Sequence, residues 1–352
     1  MALQFKSAQK LHRSITLPLC LLTLYVLSPY HQRSLSQTVA DVNVQDRELG
    51  QKLYREHKLS EAAAVFKKAT KRDKTDADSW YYVGLIALQQ NDFKNATKAF
   101  ETAAKLRPNS APIHTGLAYA FLLRSKLKEG LTEAERAIAI DANYADAHYV
   151  FGAANLRLGS RDKALQGAQR AIELNKGFSN AYLLKSQALV QFSGDDVIVQ
   201  TGPSWQEQIK RYREAATALE TYLQLTPTST DNKQWQDQLE ALKFHVATRS
   251  AAAAQNQVYI GRDVTTKARL ISKPEPTYTE KARKNQVTGT VILRVVFAGD
   301  GIVKHIVIVK ALPDGLTRNA VEAAKKIKFI PATLNGQPVS MFMQLEYNFN
   351  LY

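Results

Sequence analysis

The chain has 352 residues, of which 45% are hydrophobic and 22% charged, and its formal net charge is +15. This composition is typical of globular proteins, and the length allows two ordinary domains. The basic residues form no concentrated run, which argues against a nucleic-acid-binding protein. A single cysteine, Cys20, excludes an internal disulfide.

The first 40 residues have the layout of an export segment. Residues 1–13 are polar and basic, and Ile15–Leu27 is almost wholly apolar. This order predicts a secretory signal, with Thr38–Ala40 as the candidate cleavage site. The alternative is an uncleaved anchor over Leu11–Tyr30, which would hold the protein at the inner membrane. Both interpretations place the rest of the chain in the periplasm or cell envelope of a Gram-negative-type bacterium.

A pattern of small and aromatic residues then recurs every 34 residues. The unit that begins at Ala77 contains Trp80, Gly84, Ala96, Phe100, Ala103 and Pro108. Small residues let two helices cross closely, and proline cannot continue the second helix. Units in the same register begin at Asn43, Ala111, Ala145 and near Ser179.

These units resemble the tetratricopeptide repeat family. The resemblance implies an all-α solenoid over residues 41–249, made of five repeats and a capping helix at Asn232–Thr248. An insertion at about residues 191–211 delays the second helix of the fifth repeat. Partners of such a solenoid are expected on the concave face of its first helices. Candidates by position are Arg47, Tyr81, Leu85, Tyr119, Tyr149 and Gln187.

Residues 250–262 are predicted to be a linker, partly helical, and the hydrophobic period changes from 3.6 to 2 beyond it. Strands are predicted at Thr290–Ala298 and Ile302–Lys310, joined by a turn. A short helix at Thr279–Gln286 precedes them, and a longer helix at Leu316–Ile330 follows.

The last twelve residues alternate as one strand. The core face is predicted to carry Met341, Met343, Leu345, Tyr347, Phe349 and Leu351.

Short motifs over residues 263–352 resemble the C-terminal domain of the energy transducer TonB. They are Pro276-x-Tyr278, Ala282-Arg283, Gly289-x-Val291, Phe297, Gly301-x-Val303, Ala320-x-x-Ala323, Phe329-x-Pro331-Ala332, Gly336-x-Pro338-Val339 and Phe349. The expected fold class is therefore multidomain, an all-α solenoid followed by a small α+β domain with an antiparallel sheet.

In the TonB family this domain lies in the periplasm and binds a peptide of an outer-membrane transporter beside its last strand. An unpaired strand edge suits such a partner, because an extended peptide can pair with its free N–H and C=O groups. The resemblance implies a binding edge made of Gln344, Leu345, Glu346, Tyr347, Asn348, Phe349 and Asn350. The same edge could pair with a second copy of the chain, which would give a homodimer.

No catalytic constellation is apparent in the sequence. The seven histidines are scattered, none forms an i, i+4 pair, and there is no GxSxG motif or phosphate-binding glycine loop. We therefore predict a protein-binding protein with no enzymatic activity, no cofactor and no metal. Two hypotheses remain, a TonB-like transducer or adaptor with two protein partners and a soluble periplasmic scaffold that transduces no energy.

Overall fold

The computed structural model describes residues 29–191, 203–229, 232–249 and 257–351, with side chains from residue 42 onward in the first helix. The predicted signal or anchor therefore lies mostly outside the described residues, as does the start of the linker. No helix within these ranges is both long enough and apolar enough to cross a membrane.

The N-terminal part of the described chain is built from antiparallel helix pairs. The helices are α1 (Pro29–Arg55), α2 (Leu59–Arg72), α3 (Ala77–Gln89), α4 (Phe93–Leu106), α5 (Ala111–Leu123), α6 (Leu127–Ile140), α7 (Ala145–Arg157), α8 (Arg161–Leu174), α9 (Ser179–Val190), α10 (Pro203–Leu225) and α11 (Asn232–Arg249). Each helix packs on the next, and the first helices of successive pairs also pack side by side. The result is the predicted solenoid, with α11 as its final helix.

The small residues at the repeat positions lie where the two helices of a pair cross. Ala62, Ala96 and Ala164 are fully buried. A Cβ atom on Gly84 would lie 2.7 Å from the ring of Phe100, so only glycine leaves room for that ring. The packing role predicted for these positions is confirmed.

From the second repeat onward, a polar ring at the fourth position closes the turn before it. In four successive repeats the ring nitrogen or hydroxyl donates to a carbonyl six residues earlier. The pairs are Trp80 with Lys74 (3.1 Å), His114 with Pro108 (2.8 Å), His148 with Ala142 (2.9 Å) and Tyr182 with Lys176 (3.2 Å). His114 and His148 therefore occupy equivalent positions in successive repeats because each makes the same hydrogen bond.

The C-terminal part is an α+β domain. Its elements are β1 (Val258–Tyr259), β2 (Arg269–Ser272), α12 (Glu280–Lys284), β3 (Gly289–Phe297), β4 (Val303–Lys310), α13 (Leu316–Lys325), β5 (Lys328–Ile330), β6 (Ala332–Leu334) and β7 (Gln337–Phe349). The main sheet has the order β1-β7-β3-β4, with β6 also paired to β7. Strand β2 pairs with β5 in a separate small sheet.

The two faces of the main sheet have different neighbours. Val291, Leu293 and Leu345 point into a core shared with α13. On the opposite face, Val307 and Val309 of β4 belong to a cluster with α10 and α11 of the solenoid. Repeats and C-terminal domain therefore share a hydrophobic core.

Polar contacts extend this junction. Arg294 of β3 is only 4% exposed and donates to the hydroxyl of Tyr212 on α10, with an N–O distance of 3.1 Å. The ring of His305 stacks on Phe244 of α11, with centroids 3.5 Å apart. The junction thus contains a buried cation and half-buried stacked rings as well as aliphatic side chains.

Several predicted boundaries in the C-terminal part are wrong. The helix predicted to reach Ile330 ends at Lys325, because Lys328–Ile330 pairs with β2 as strand β5. The last strand begins at Gln337, four residues before the predicted start, and ends at Phe349. Leu351, predicted to face the core, is 41% exposed.

The connecting segments are described in part. Within the predicted linker, Val258–Tyr259 forms strand β1 because it pairs with β7. Helix α10 begins at Pro203, inside the predicted insertion, and has 23 residues where the second helices of the preceding repeats have 14. The later part of the insertion therefore lengthens the second helix of the fifth repeat at its N-terminal end.

Candidate functional site

The last strand presents an unpaired edge. Strand β7 pairs with β3 without a register shift from Met341 to Phe349. On its other side, β6 and β1 pair only with residues 337–341. Among the described residues, no strand pairs with this side of β7 beyond Met341. The predicted edge Gln344–Asn350 therefore coincides with the free part of β7, apart from Asn350, which follows the strand.

The direction of the main-chain groups along this edge follows from one contact. Lys273 Nζ donates to the carbonyl oxygen of Glu346 at 2.7 Å, so this carbonyl points away from β3. The N–H and C=O of one residue point to the same side of a strand, and sides alternate along it. Gln344, Glu346 and Asn348 therefore present their main-chain groups outward.

Side chains at the edge alternate between core and solvent. Leu345, Tyr347 and Phe349 are buried in the domain core, whereas Gln344 and Glu346 are exposed. The buried side chains hold β7 in register with β3. Burial also raises the pKa of Tyr347 to about 12, with a further contribution from the charge of Glu275.

The side chain of Lys273 lies against the middle of the outer edge of β7. Besides its bond to Glu346, its ammonium lies 4.5 Å from the ring centre of Tyr347. A lysine at an exposed edge is a common device against unwanted strand pairing. An incoming strand would have to displace this ammonium from the Glu346 carbonyl.

The opposite edge of the sheet is covered by the solenoid. The amide of Ile308 on β4 donates to Gln238 Oε1 of α11 at 2.9 Å. The carbonyl of His305 accepts from His245 Nε2 at 3.2 Å. Register shifts on both sides of the β4 centre further interrupt its hydrogen-bonding pattern. Strand addition at β4 is therefore disfavoured.

The concave-face candidates divide into two groups. Arg47 is tied to Asp76 at 3.1 Å, and Leu85 packs partly buried beside the Phe100 cluster. Gln187 lines a cavity of about 470 Å³ between the solenoid and the loop after β4. These three are engaged within the protein.

The three tyrosine candidates lie together on neighbouring first helices. Tyr81 of α3 and Tyr149 of α7 both pack against residues of α5, the helix that carries Tyr119. Tyr119 is 37% exposed. Burial is the main cause that raises the pKa of each phenol, and the charge of Asp146 contributes at Tyr81 and Tyr149. The sequence did not single out Asp146 or its neighbour Tyr144.

No group of three potential metal ligands occurs within the part of the chain that the structure describes. The geometry instead consists of a free strand edge and a group of tyrosines on neighbouring first helices. Surfaces of both kinds are suited to contacts with other polypeptides, as is typical of proteins built from interaction modules.

Family comparisons assign both parts. Residues 274–351 match the family described as Gram-negative bacterial TonB protein C-terminal. Residues 47–111 and 85–146 match the tetratricopeptide repeat. The chain combines tetratricopeptide repeats with a TonB C-terminal domain, as its sequence predicts. Neither match is to a catalytic family, and the TonB domain is a cell-envelope module.

Solved structures of low identity resemble the chain. TTC0263, a thermophilic TPR protein in Thermus thermophilus, is 18% identical, covering 57% of this chain and 99% of its own, with a TM-score of 0.44. PilW, a type IV pilus biogenesis factor, is 17% identical, covering 60% and 87%, with a TM-score of 0.46. MamA from Desulfovibrio magneticus RS-1 is 19% identical, covering 54% and 98%, with a TM-score of 0.41. None bears on function, and no curated protein matches the chain.

Proposed function

We propose that this chain is a TonB-like adaptor of the cell envelope that docks one protein through β7 and a second through its repeats. The first partner would insert an extended segment beside Gln344, Glu346 and Asn348, as the peptide of an outer-membrane transporter does in the TonB family. The observation that carries the proposal is the contrast between the two edges of the sheet. The edge at β4 is occupied by side chains of α11, whereas β7 is free of strand partners beyond Met341 among the described residues.

Strand β1 supports this choice of edge. Val258 and Tyr259 pair in parallel with Ser340 and Met341, so an extended segment already adds to β7 within the chain itself. A partner strand could continue this row of hydrogen bonds from Phe342 onward. Main-chain pairing would supply affinity, and alternate side chains would supply specificity.

A proline on the outward-facing side of β7 tests the proposal. Gln344→Pro removes one outward N–H and leaves the pairing with β3 in place, because proline is tolerated at strand edges. We expect at least a tenfold weaker affinity for peptides copied from the N-terminal segments of outer-membrane transporters of the same organism. The measurement is fluorescence anisotropy with labelled peptides.

Gln344→Ala is the matched control, since it removes the same side chain and keeps the amide. Its affinity should stay within about twofold of the original chain, because the main-chain bonds of the edge are unchanged. If proline and alanine weaken binding equally, or if no transporter peptide binds, docking on β7 is wrong.

The hydrogen bond between Lys273 and the carbonyl of Glu346 gives a second prediction. Lys273→Ala frees the carbonyl of Glu346, so we expect peptides to bind roughly three- to tenfold more tightly, equivalent to about 1 kcal/mol. Self-association through the same edge should also increase, which sedimentation velocity would detect. Lys281→Ala, which removes a half-exposed lysine of α12, is the control. Unchanged affinity and unchanged association state would show that Lys273 does not hinder strand addition at the edge of β7.

The second candidate is a soluble periplasmic scaffold in which β7 and the repeats dock partners without energy transduction. The fate of residues 1–40 separates the two. N-terminal sequencing of the mature protein, with membrane fractionation in the native host, would distinguish a retained anchor from a start near Asp41. A released, processed chain would support the scaffold and exclude covalent coupling to an inner-membrane motor.

A further inference from the structure

The concave face of the solenoid carries a cluster of tyrosines from three successive repeats. Tyr81 lies on α3, Tyr119 on α5 and Tyr149 on α7, and Tyr144 precedes the first turn of α7. Among the described residues, none of these four hydroxyl groups has a hydrogen-bond partner within the protein. None of these hydroxyls is among the buried polar atoms that lack a partner, so they reach solvent and are accessible to an external ligand.

Asp146 lies on the first turn of α7, two residues after Tyr144 and about one turn before Tyr149. The residue is exposed, so its carboxylate is accessible from solvent. Its charge also contributes to the raised pKa of the phenols of Tyr81, Tyr144 and Tyr149. Within the described chain, no cation forms an ion pair with this carboxylate.

The basic side chains of neighbouring repeats are held elsewhere. Arg107 forms a double hydrogen bond with Asp78, at 2.6 and 3.0 Å. Arg157 donates to the carbonyl of Leu122 and to the hydroxyl of Ser125. Among the residues that the structure describes, no ion pair supplies a counter-ion to Asp146.

A buried hydroxyl on the same face, that of Thr115, also lacks a hydrogen-bond partner. Thr115 of α5 lies between the positions of Tyr81 and Tyr149 on the concave face and is 6% exposed. Its hydroxyl is buried without a hydrogen-bond partner. Buried polar atoms are normally satisfied, so an unpaired one at this place indicates a ligand or ordered water.

We propose that this cluster binds a lysine or arginine side chain of an extended partner peptide. The carboxylate of Asp146 would pair with the cation, and the tyrosine faces would surround it. Charge complementarity selects this occupant, because a single uncompensated carboxylate among phenols attracts a cation and repels an acidic peptide. This inference rests on the proposed role of the repeats in docking a second protein.

Partial desolvation raises the pKa of the Asp146 carboxyl, although the residue is exposed, so its ionised form is mildly disfavoured in the folded chain. The stabilising contribution of a raised carboxyl pKa is fully present below the unfolded pKa and is lost as pH rises through the folded pKa. The titratable groups whose pKa is affected by the charge of Asp146 are Tyr81, Tyr144 and Tyr149. Asp146→Asn should therefore leave Tm at pH 7 unchanged or slightly higher.

The test uses an array of random 12-residue peptides, each made in two versions that differ only at one central position. One version carries lysine or arginine there, and its twin carries norleucine or citrulline. The array is probed with the full chain carrying Gln344→Pro, so that the strand edge does not contribute. The tightest pairs are then measured by calorimetry.

We expect the cationic peptides to bind at least tenfold more tightly than their neutral twins. Asp146→Asn should abolish this difference, and Tyr119→Ala should reduce it. Asp162→Asn, which changes an aspartate whose side chain is 87% exposed on α8, should leave it intact.

Each other outcome overturns the inference. Twins that bind equally would show that the concave face binds peptides without selecting a cation, and the proposed docking role would survive. If neither version binds, the docking role of the repeats falls together with the inference. If Asp146→Asn preserves the difference, the cation binds at another site.

Discussion

Arg294→Ala is expected to lower the free energy of unfolding by about 2–4 kcal/mol, because it empties a buried position in the junction and removes a charge-assisted hydrogen bond. Arg294 is 4% exposed and bonds to Tyr212 across the two parts of the chain. Chemical denaturation followed by tryptophan fluorescence is a suitable measurement, since Trp235 packs against the junction cluster.

Arg269→Ala is the matched control for this prediction. Arg269 lies on β2 and its side chain is exposed, so the same substitution should change stability by less than about 0.5 kcal/mol. Tyr212→Phe removes only the hydroxyl and should cost about 1 kcal/mol. If Arg294→Ala costs no more than Arg269→Ala, repeats and C-terminal domain do not share a stabilising core.

Gly167→Ala is expected to destabilise the chain by about 2–3 kcal/mol. A Cβ atom at residue 167 would lie 2.7 Å from the carbonyl oxygen of His148 and 2.8 Å from the backbone of Gly152. Backbone atoms at a helix crossing cannot move aside without separating α7 from α8, so overpacking outweighs the better helix propensity of alanine. Thermal or urea denaturation measures the effect.

Gly130→Ala provides the comparison with the same chemical change. Its Cβ atom would lie 2.8 Å from Leu122 Cδ2, the end of a flexible side chain, and 3.1 Å from the carbonyl of Ala118. Rotation of Leu122 relieves most of this crowding, so stability should change by less than about 1 kcal/mol in either direction. Equal effects of the two substitutions would contradict the close crossing of α7 and α8.

The repeats could be predicted because their signal is a spacing of residue sizes. Gly84 has to be small because the large ring of Phe100 packs against it where the two helices cross. The same constraint on residue size recurs every 34 residues. The last strand could be predicted for a similar reason. The alternation from Met341 to Phe349 records which side chains face the core, and the burial of Leu345, Tyr347 and Phe349 agrees with it.

Elements that depend on distant pairing could not be predicted. The segment after α13 is rich in lysine, which suits a helix end, but Lys328–Ile330 becomes a strand because β2 is available to pair with it. Strand β1 exists only through its pairing with β7. Lys273 is 73 residues from Glu346, and nothing local indicates that the two meet.

The junction did leave a signal that the sequence analysis overlooked. The strand Gly289–Phe297 reads GTVILRVVF and is apolar at almost every position. A strand with one solvated face alternates, whereas a continuous apolar run indicates burial on both faces. Arg294 interrupts that run and resembles a solvent-facing residue, although it is buried against Tyr212. The second buried face indicated a packing partner, which is the solenoid.

The central claim is that a partner peptide adds as a strand to the outer edge of β7. Backbone amide hydrogen exchange, followed by NMR with and without a bound transporter peptide, tests it most directly. The account predicts new protection that alternates along the strand, at the amides of Gln344, Glu346 and Asn348, with those of β4 unchanged. Peptide binding without that alternating protection, or with new protection confined to β4, would contradict it.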